Sequence, residues 1–427
     1  MKIKLSNGIR SADQLWEWRY FDIYPIQIDL SLKLNNLLPV MESQLQVGVK
    51  NRFKESSYKA ARIVAPIIKQ NFAEILAAKS GGIDADWHPD SQVIEAIIDA
   101  AFWASLRKEE GISPRISLAL LPPEQAGSSL LFEHKIILNA DTLTKLAPGV
   151  ERPGIHIGVW YEDDLLYIWG TTHNIPDYCL VVDVSEPGLL VIKHRRMIGF
   201  GKFVNIAVLN GDQIKVIDQN RAHFPESPAI LSSLLGSRSS GENSVNVHIQ
   251  LAVSMRAHQR GGILLVVPSE SDNWLKSILQ PIKYSVFPSF NGLADLFKQS
   301  EPDRTQKAWQ NALSREISSI GGLTAVDGAT VVTDKHELLA FGAKIVRPRD
   351  NEILGKILKV EPITGFKSAV VNHSAIGGTR HVSAAQFVHD QRDALALVAS
   401  QDGHFTVFTW SASEDMVQAH RIDTLLL

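Results

Sequence analysis

The stretch IGGTRHVSAAQF, Ile376 to Phe387, decides how the C-terminal part of this chain is read. Ala384, Ala385 and Val388 keep helical spacing, so the run leads from a glycine loop into a helix. Glycines before a helix expose backbone N–H groups as an anion-binding nest, and the helix dipole adds favourable potential. Thr379 offers a hydroxyl, and Arg380 offers a guanidinium fork that suits phosphate. The structural alternative is a plain capping box over Ser383-Ala-Ala-Gln386, which leaves Arg380 and His381 as solvated loop residues. These residues alone keep both readings open.

Working outward, ALALVAS and HFTVFTW read as strands, VHIQLAVSMRAHQRGG as a helix, and ILLVVPSE as a buried strand with a loop after it. LTAV and ATVVT read as two strands interrupted by Asp327-Gly328, which is the chemistry of a hairpin turn. The functional alternative is that Asp327 binds a metal or a ribose hydroxyl while Gly328 lets a ligand approach the backbone. The polar segment from Phe297 to Ser319 has a helical centre and is expected either to cover a site or to decorate an edge. Residues 245–427 are therefore expected to form a mixed-sheet α/β domain.

Nearer the start, Ser56 to Leu76 has apolar residues at three- and four-residue spacing, with Pro66 expected to kink or divide the helix. A second helix is expected from Asp90-Ser91 to Gly111. From about Ile116 the period shortens to that of strands: ISLALLPP, HKIILNA, IHIGVWYEDDLLYIWGTT, CLVVDVSEPGLLVIKH and FVNIAVLNGDQIKVI. Glu162-Asp163-Asp164, Ser185-Glu186-Pro187-Gly188 and Asn210-Gly211-Asp212 read as hairpin turns. Residues 1–234 are thus expected to form an α+β domain with a mainly antiparallel sheet. It shows no catalytic constellation, and His156 and His173 read as structural or surface residues. The small, polar residues 235–244 read as a linker.

With 427 residues, 45% of them hydrophobic and 21% charged, the chain has the balance of a soluble globular protein of two or three domains. A net charge of -3 gives no global basic field, so no nucleic-acid partner is expected. The N-terminal MKIKLSNGIRSADQLWEW lacks a signal-peptide core, and no segment reaches the ~18 apolar residues of a membrane span. Cys179, the one cysteine, can make no internal disulfide and reads as a small core residue. No membrane insertion and a cytoplasmic setting are expected.

The combination of DGA at Asp327, Gly328 and Ala329, some fifty residues of chain, GTRH leading into a helix, and a strand ending in Ala399-Ser400-Gln401 resembles the diadenylate cyclase domain. That family includes the DNA-integrity scanning protein and carries DGA and GTRHR as paired signatures. MRAHQRGGILLVV resembles its upstream helix and strand, so the likeness covers roughly Val245 to Trp410. WYEDDLLYIWG and the strands after it resemble the sensor-type domains found ahead of such cyclases. The helical extension that scans DNA in part of the family has no counterpart before the closing HRIDTLLL.

The resemblance implies a nucleotidyltransferase that joins two ATP into cyclic di-AMP and releases two pyrophosphates, with Mg²⁺ or Mn²⁺ screening the phosphates. Asp327 would sit near the attacking hydroxyl and the metal. Gly328 and Ala329 would lie against the nucleotide, and Gly378, Thr379, Arg380 and His381 would cradle the phosphates. Ser383, at the helix start, and Ser400, at a strand end, would add contacts. Two such sites must face each other, which implies at least a transient homodimer. Val382 stands where the family has its second arginine, and valine supplies neither donor nor charge. Losing such a contact costs on the order of 10²–10³ in rate. Arg347 or Arg349 is the candidate replacement, against a solvated turn as the simpler role. An active cyclase and a non-catalytic adenine-nucleotide-binding regulator are the two leading readings. An interaction module with no nucleotide site is the third.

Overall fold

The computed structural model describes residues 56–77, 89–163, 165–196, 203–218, 228–234, 243–299, 304, 307–349 and 351–427. The chain divides into two compact units, Met1–Asn51 and Arg52–Leu427. The first lies outside the described residues, as does most of the expected linker, residues 235–242.

The second unit begins with α1 (Lys59–Ala77) and α2 (Ser91–Ser105). Ala61, Val64, Ala65, Ile68, Phe72 and Ile75 fall on one face of α1 and are buried, so packing rather than propensity fixes this helix. It runs through Pro66 without dividing, because the ring lies on the exposed face. The Asp90 carboxylate caps α2 by accepting from the Gln92 amide at 3.2 Å. The helix ends at Ser105, well before Gly111. The buried Ser105 hydroxyl donates to the Phe102 carbonyl at 2.6 Å and accepts from the Gly188 amide at 3.0 Å. Gly111, at φ +86°, instead serves the small turn between Glu109 and Ile112.

Then come β1 (Ser117–Leu120), β2 (Gly127–Ile137), α3 (Ala140–Val150), β3 (His156–Glu162), β4 (Leu165–Asn174), β5 (Leu180–Glu186), β6 (Leu189–Arg195), β7 (Phe203–Asn210) and β8 (Gln213–Val216). They form an eight-stranded sheet in the order β2-β4-β3-β1-β5-β6-β7-β8. Only β1 and β3 pair in parallel, so the sheet is mainly antiparallel, as its turn chemistry foretold. Asp163, Gly188 and Gly211 take the positive φ angles of their hairpins. The three helices pack over Leu118, Leu120, Ile157, Val182 and Ile192. On the other face Ala119, Leu121, Trp169, Cys179 and Val181 form a smaller cluster. Burial there pushes the Cys179 thiol up to about 12, which keeps it inert.

The rest of the unit holds α4 (Ala229–Leu234), α5 (Asn243–Ala257), β9 (Gly262–Val267), β10 (Tyr284–Phe290), α6 (Gly292–Lys298), α7 (Lys307–Leu323), β11 (Ala329–Thr333), β12 (Leu338–Ala343), β13 (Lys356–Val360), β14 (Ala369–Asn372), α8 (Thr379–Asp390), β15 (Leu395–Ala399), β16 (Phe405–Ser411) and β17 (Met416–Arg421). The nine strands run β10-β12-β11-β9-β15-β16-β17-β13-β14. Pairs β9–β11 and β13–β17 are parallel and the others antiparallel, giving the expected mixed sheet. Residues of α5 and α7, such as Leu251 and Ile317, pack on one face against Leu264 and Leu397. On the other face Ala384, Phe387 and Val388 of α8 cover Leu265, Val331 and Val398.

One expectation fails here, and one alternative left open is excluded. LTAV is no strand: Leu323 ends α7, and Thr324, Ala325 and Val326 close a turn by donating to Gly321, Gly322 and Leu323. Asp327-Gly328 therefore joins a helix to β11 and is not a hairpin tip. Of the two roles left open for the segment around α7, edge decoration is excluded, since Leu313, Ile317 and Ile320 are buried in the core. Its residues 300–303, 305 and 306 lie outside the described residues.

The two sheets meet along β8 and the stretch after β13. Ile217 bridges to Ile363, and Lys215 pairs with Glu361 at 2.6 Å.

Candidate functional site

Strand register gathers the singled-out residues. Ala329 of β11 pairs with Ala343 of β12 on one side and with Ile263 of β9 on the other. Gly262 of β9 pairs with Ala399 of β15. The turn before β11, the end of β12, the start of α8 and the β15–β16 turn therefore converge on one cleft of about 660 Å³. Asp327, Gly328, Ala329, Gly378, Thr379, Arg380, His381, Ser383 and Ser400 all line it.

Gly328 has a structural reason to be glycine. Its φ is +111°, and a Cβ there would stand 2.5 Å from the carbonyl carbon of Gly342. The backbone of β12, not a ligand, already fills that space.

Helix α8 starts at Thr379, with Gly378 as an N-cap that has no side-chain hydrogen bond. The capping box offered as the alternative is therefore absent. Gln386 instead accepts from the Leu354 amide at 2.9 Å and donates to the Glu352 carbonyl at 3.1 Å. Ser383 lies one turn inside the helix, half-buried, rather than at its start. The amides of His381 and Val382 both reach the Gly378 carbonyl. Those of Gly378, Thr379 and Arg380 have no acceptor among the described residues. A Cβ on Gly378 would meet nothing within 4 Å, so the space beside this N-cap residue is open.

Arg380 makes no hydrogen bond or ion pair among the described residues, and its Nη1 lies 3.2 Å from where a Cβ on Gly261 would stand. His381 is 5% exposed and meets Phe408 edge-on, with ring centroids 6.1 Å apart. Burial first, and then the Arg421 charge, depress its pKa to about 4. It is thus a neutral ring at the cleft wall and not a third cation. The Ser400 hydroxyl is engaged by the Asp402 carboxylate and by the His404 amide at 3.0 Å. That bond holds the Asp402 carboxyl below its ordinary range.

The Asp327 side chain is 90% exposed, with Lys344 Nζ 4.0 Å from Oδ2. The described residues contain no group of three or more metal-ligating side chains. One open carboxylate suits an ion that takes its remaining ligands from substrate phosphates and water, the usual arrangement for Mg²⁺.

Sequence reasoning missed Lys344 and Asp402, which also line the cleft. Lys344 is one residue beyond the end of β12 and Asp402 three beyond the end of β15, and only a correct β11–β12 or β15–β16 pairing brings them to the same rim. Arg347 and Arg349 are exposed and do not line the cleft. A smaller cleft of about 350 Å³ shares Asp327, Ala343 and Lys344 and adds Lys283 and Tyr284.

No helix among the described residues is long and apolar enough to cross a membrane. No curated protein matches the chain. The family model described as "Probable sensor domain DACNV" matches residues 84–173, which run through α2, β1, β2, α3, β3 and most of β4. Strands β5 to β8 of the same sheet lie beyond that match. Ahead of the cleft, the chain carries a domain similar to the sensor type associated with diadenylate cyclases.

Proposed function

We propose that the protein is a cytoplasmic diadenylate cyclase whose N-terminal domain regulates the cleft. The observation that carries this reading is the convergence of Asp327-Gly328-Ala329 and Gly378-Thr379-Arg380-His381 on one cleft at an uncapped helix N-terminus.

In this reading the free amides of Gly378, Thr379 and Arg380, with the Arg380 guanidinium, hold the ATP phosphates. Asp327 accepts the proton of a ribose 3′-hydroxyl as its oxygen attacks the α-phosphorus of the ATP on a facing second copy. The bond from that phosphorus to the bridging oxygen breaks, and pyrophosphate leaves in line. Repetition in the other direction closes the ring, so two ATP give one cyclic di-AMP and two pyrophosphates. Positioning and charge neutralisation are the protein's main contributions. Mg²⁺ or Mn²⁺ held by Asp327 and the phosphates would screen charge and polarise the reacting oxygens.

One observation favours a second reading, an adenine-nucleotide-binding regulator without catalysis. Val382 is half-buried, does not line the cleft, and leaves the first turn of α8 with Arg380 as its single cation. The deciding experiment is mass-spectrometric detection of cyclic di-AMP after incubation with ATP and Mn²⁺ or Mg²⁺, beside Asp327→Asn. The cyclase reading expects product that vanishes in the variant. Bound ATP without product would turn the reading to the regulator.

A further inference from the structure

The charged groups lining the cleft are two cations and two carboxylates: Arg380 and Lys344 against Asp327 and Asp402. His381 is neutral, so it adds nothing to the positive side. Arg380 stands at the α8 end. Lys344 is the other lining cation, on a different element, just past the end of β12, which β11 and β9 separate from β15 in the sheet. A polyphosphate spans several ångströms and carries several negative charges, so one guanidinium at one end leaves the far phosphates uncompensated.

The position of Lys344 is fixed while its side chain is free to choose a partner. Its carbonyl accepts from the Leu279 amide at 2.8 Å, and the next residue, Ile345, bridges to Ile278. The side chain itself is 66% exposed, and the one ion pair it makes among the described residues, with Asp327, is 4.0 Å long and 90% exposed on the acid side. An exposed pair of that length contributes little to folding, so exchanging the carboxylate for a phosphate costs little. A lysine ammonium, compact and on a flexible stem, suits such an exchange.

We infer that Lys344 is a polyphosphate-binding residue of this cleft, gripping phosphate oxygens from the end of β12 while Arg380 grips them from the start of α8. The inference rests on the nucleotide reading above and deepens it. In moving to the phosphate, Lys344 releases the Asp327 carboxylate for the attacking hydroxyl. It also places a second cation in the cleft, where Arg347 and Arg349 do not reach.

The test is calorimetric titration of the full chain and of Lys344→Ala and Lys344→Arg with ATP, adenosine and inorganic tripolyphosphate, all in EDTA. Lys344→Ala should weaken ATP and tripolyphosphate by about 10- to 100-fold, the scale of one lost charge-assisted contact. Lys344→Arg should keep most of the affinity, and adenosine should not distinguish the three proteins. ATP and tripolyphosphate binding Lys344→Ala as tightly as wild type, or adenosine losing as much as ATP, would overturn the inference. Tripolyphosphate binding that depends on Lys344, with ATP no tighter, would keep this anion site and sink the nucleotide reading. A wild-type protein that binds neither sinks both.

Discussion

Asn205, buried in β7, donates its side-chain amide to the Thr424 carbonyl at 2.9 Å and to the Leu427 carbonyl at 3.4 Å. This one side chain ties the first sheet to the short turn that follows β17. Asp423 of that turn stands 3.6 Å from Arg421 Nε and 3.8 Å from His404 Nδ1, and His404 belongs to the β15–β16 hairpin that lines the cleft. Replacing Asn205 with Leu leaves two carbonyls without their donor. We expect a loss of about 1–3 kcal/mol in denaturant unfolding. Amide exchange at residues 400–404 should also quicken. Unchanged exchange there would show that the tie is local.

Gly328 and Gly378 make opposite predictions. Gly328→Ala drives a Cβ into the Gly342 backbone at a φ of +111° and should lower the melting temperature by several degrees, with poor recovery of fold. Gly378→Ala meets no protein atom and should melt within a degree or two of wild type. Its added methyl nevertheless stands at the N-cap residue whose amide is free, so ATP affinity should fall. A Gly378→Ala protein with full ATP affinity would place the phosphates elsewhere.

Acid should unfold this protein early. Burial is the leading cause that holds His336, His381 and His420 down to about 4 and His248 to about 3. Each folded value lies below the ordinary 6.5, so the unfolded chain takes up protons that the folded chain refuses. The stability contributed by the neutral rings is complete above pH 6.5 and is lost as pH falls towards 4, with His248 extending the loss to about 3. Each such proton steepens the fall by about 1.4 kcal/mol per pH unit. Denaturant unfolding across that window checks the slope, and His420→Gln should flatten it.

The sensor-type domain has its own tight contact. A Cβ on Gly158 would lie 2.0 Å from Cζ2 of Trp169, whose indole N–H donates to the Leu121 carbonyl at 2.9 Å. Gly158→Ala should expel the indole and cost about 1–3 kcal/mol, the usual penalty of overpacking. A red shift in tryptophan emission together with a lower unfolding midpoint would report it. A crystal structure of the variant with Trp169 unmoved would refute the account.

Local chemistry was legible wherever it governed the outcome. Asp163, Gly188 and Gly211 announced their hairpins, and the spacing of Val64, Ile68 and Phe72 announced α1. The mainly antiparallel first sheet and the mixed second sheet followed from those runs. Failures came where distant contacts decide. Leu323-Thr-Ala-Val326 has the composition of a strand, yet α7 consumes its first residue because Ile317 and Ile320 need the sheet beneath them. Ser383 looked like a cap because Gln386 follows it, but Gln386 is engaged by residues 352 and 354 across the fold. Lys344 had no local signal at all, since its neighbourhood with Asp327 arises from strand pairing.

That pairing has a practical meaning. Lys344 faces Asp327 because Ala343 lies opposite Ala329. Sliding β12 by one residue would keep almost every ladder hydrogen bond while turning its side chains to the other face. Circular dichroism would record the same strand content for both arrangements. With Lys344 gripping phosphate as inferred above, a phosphate titration would separate them, and a binding curve would then also read whether the chain has folded in register.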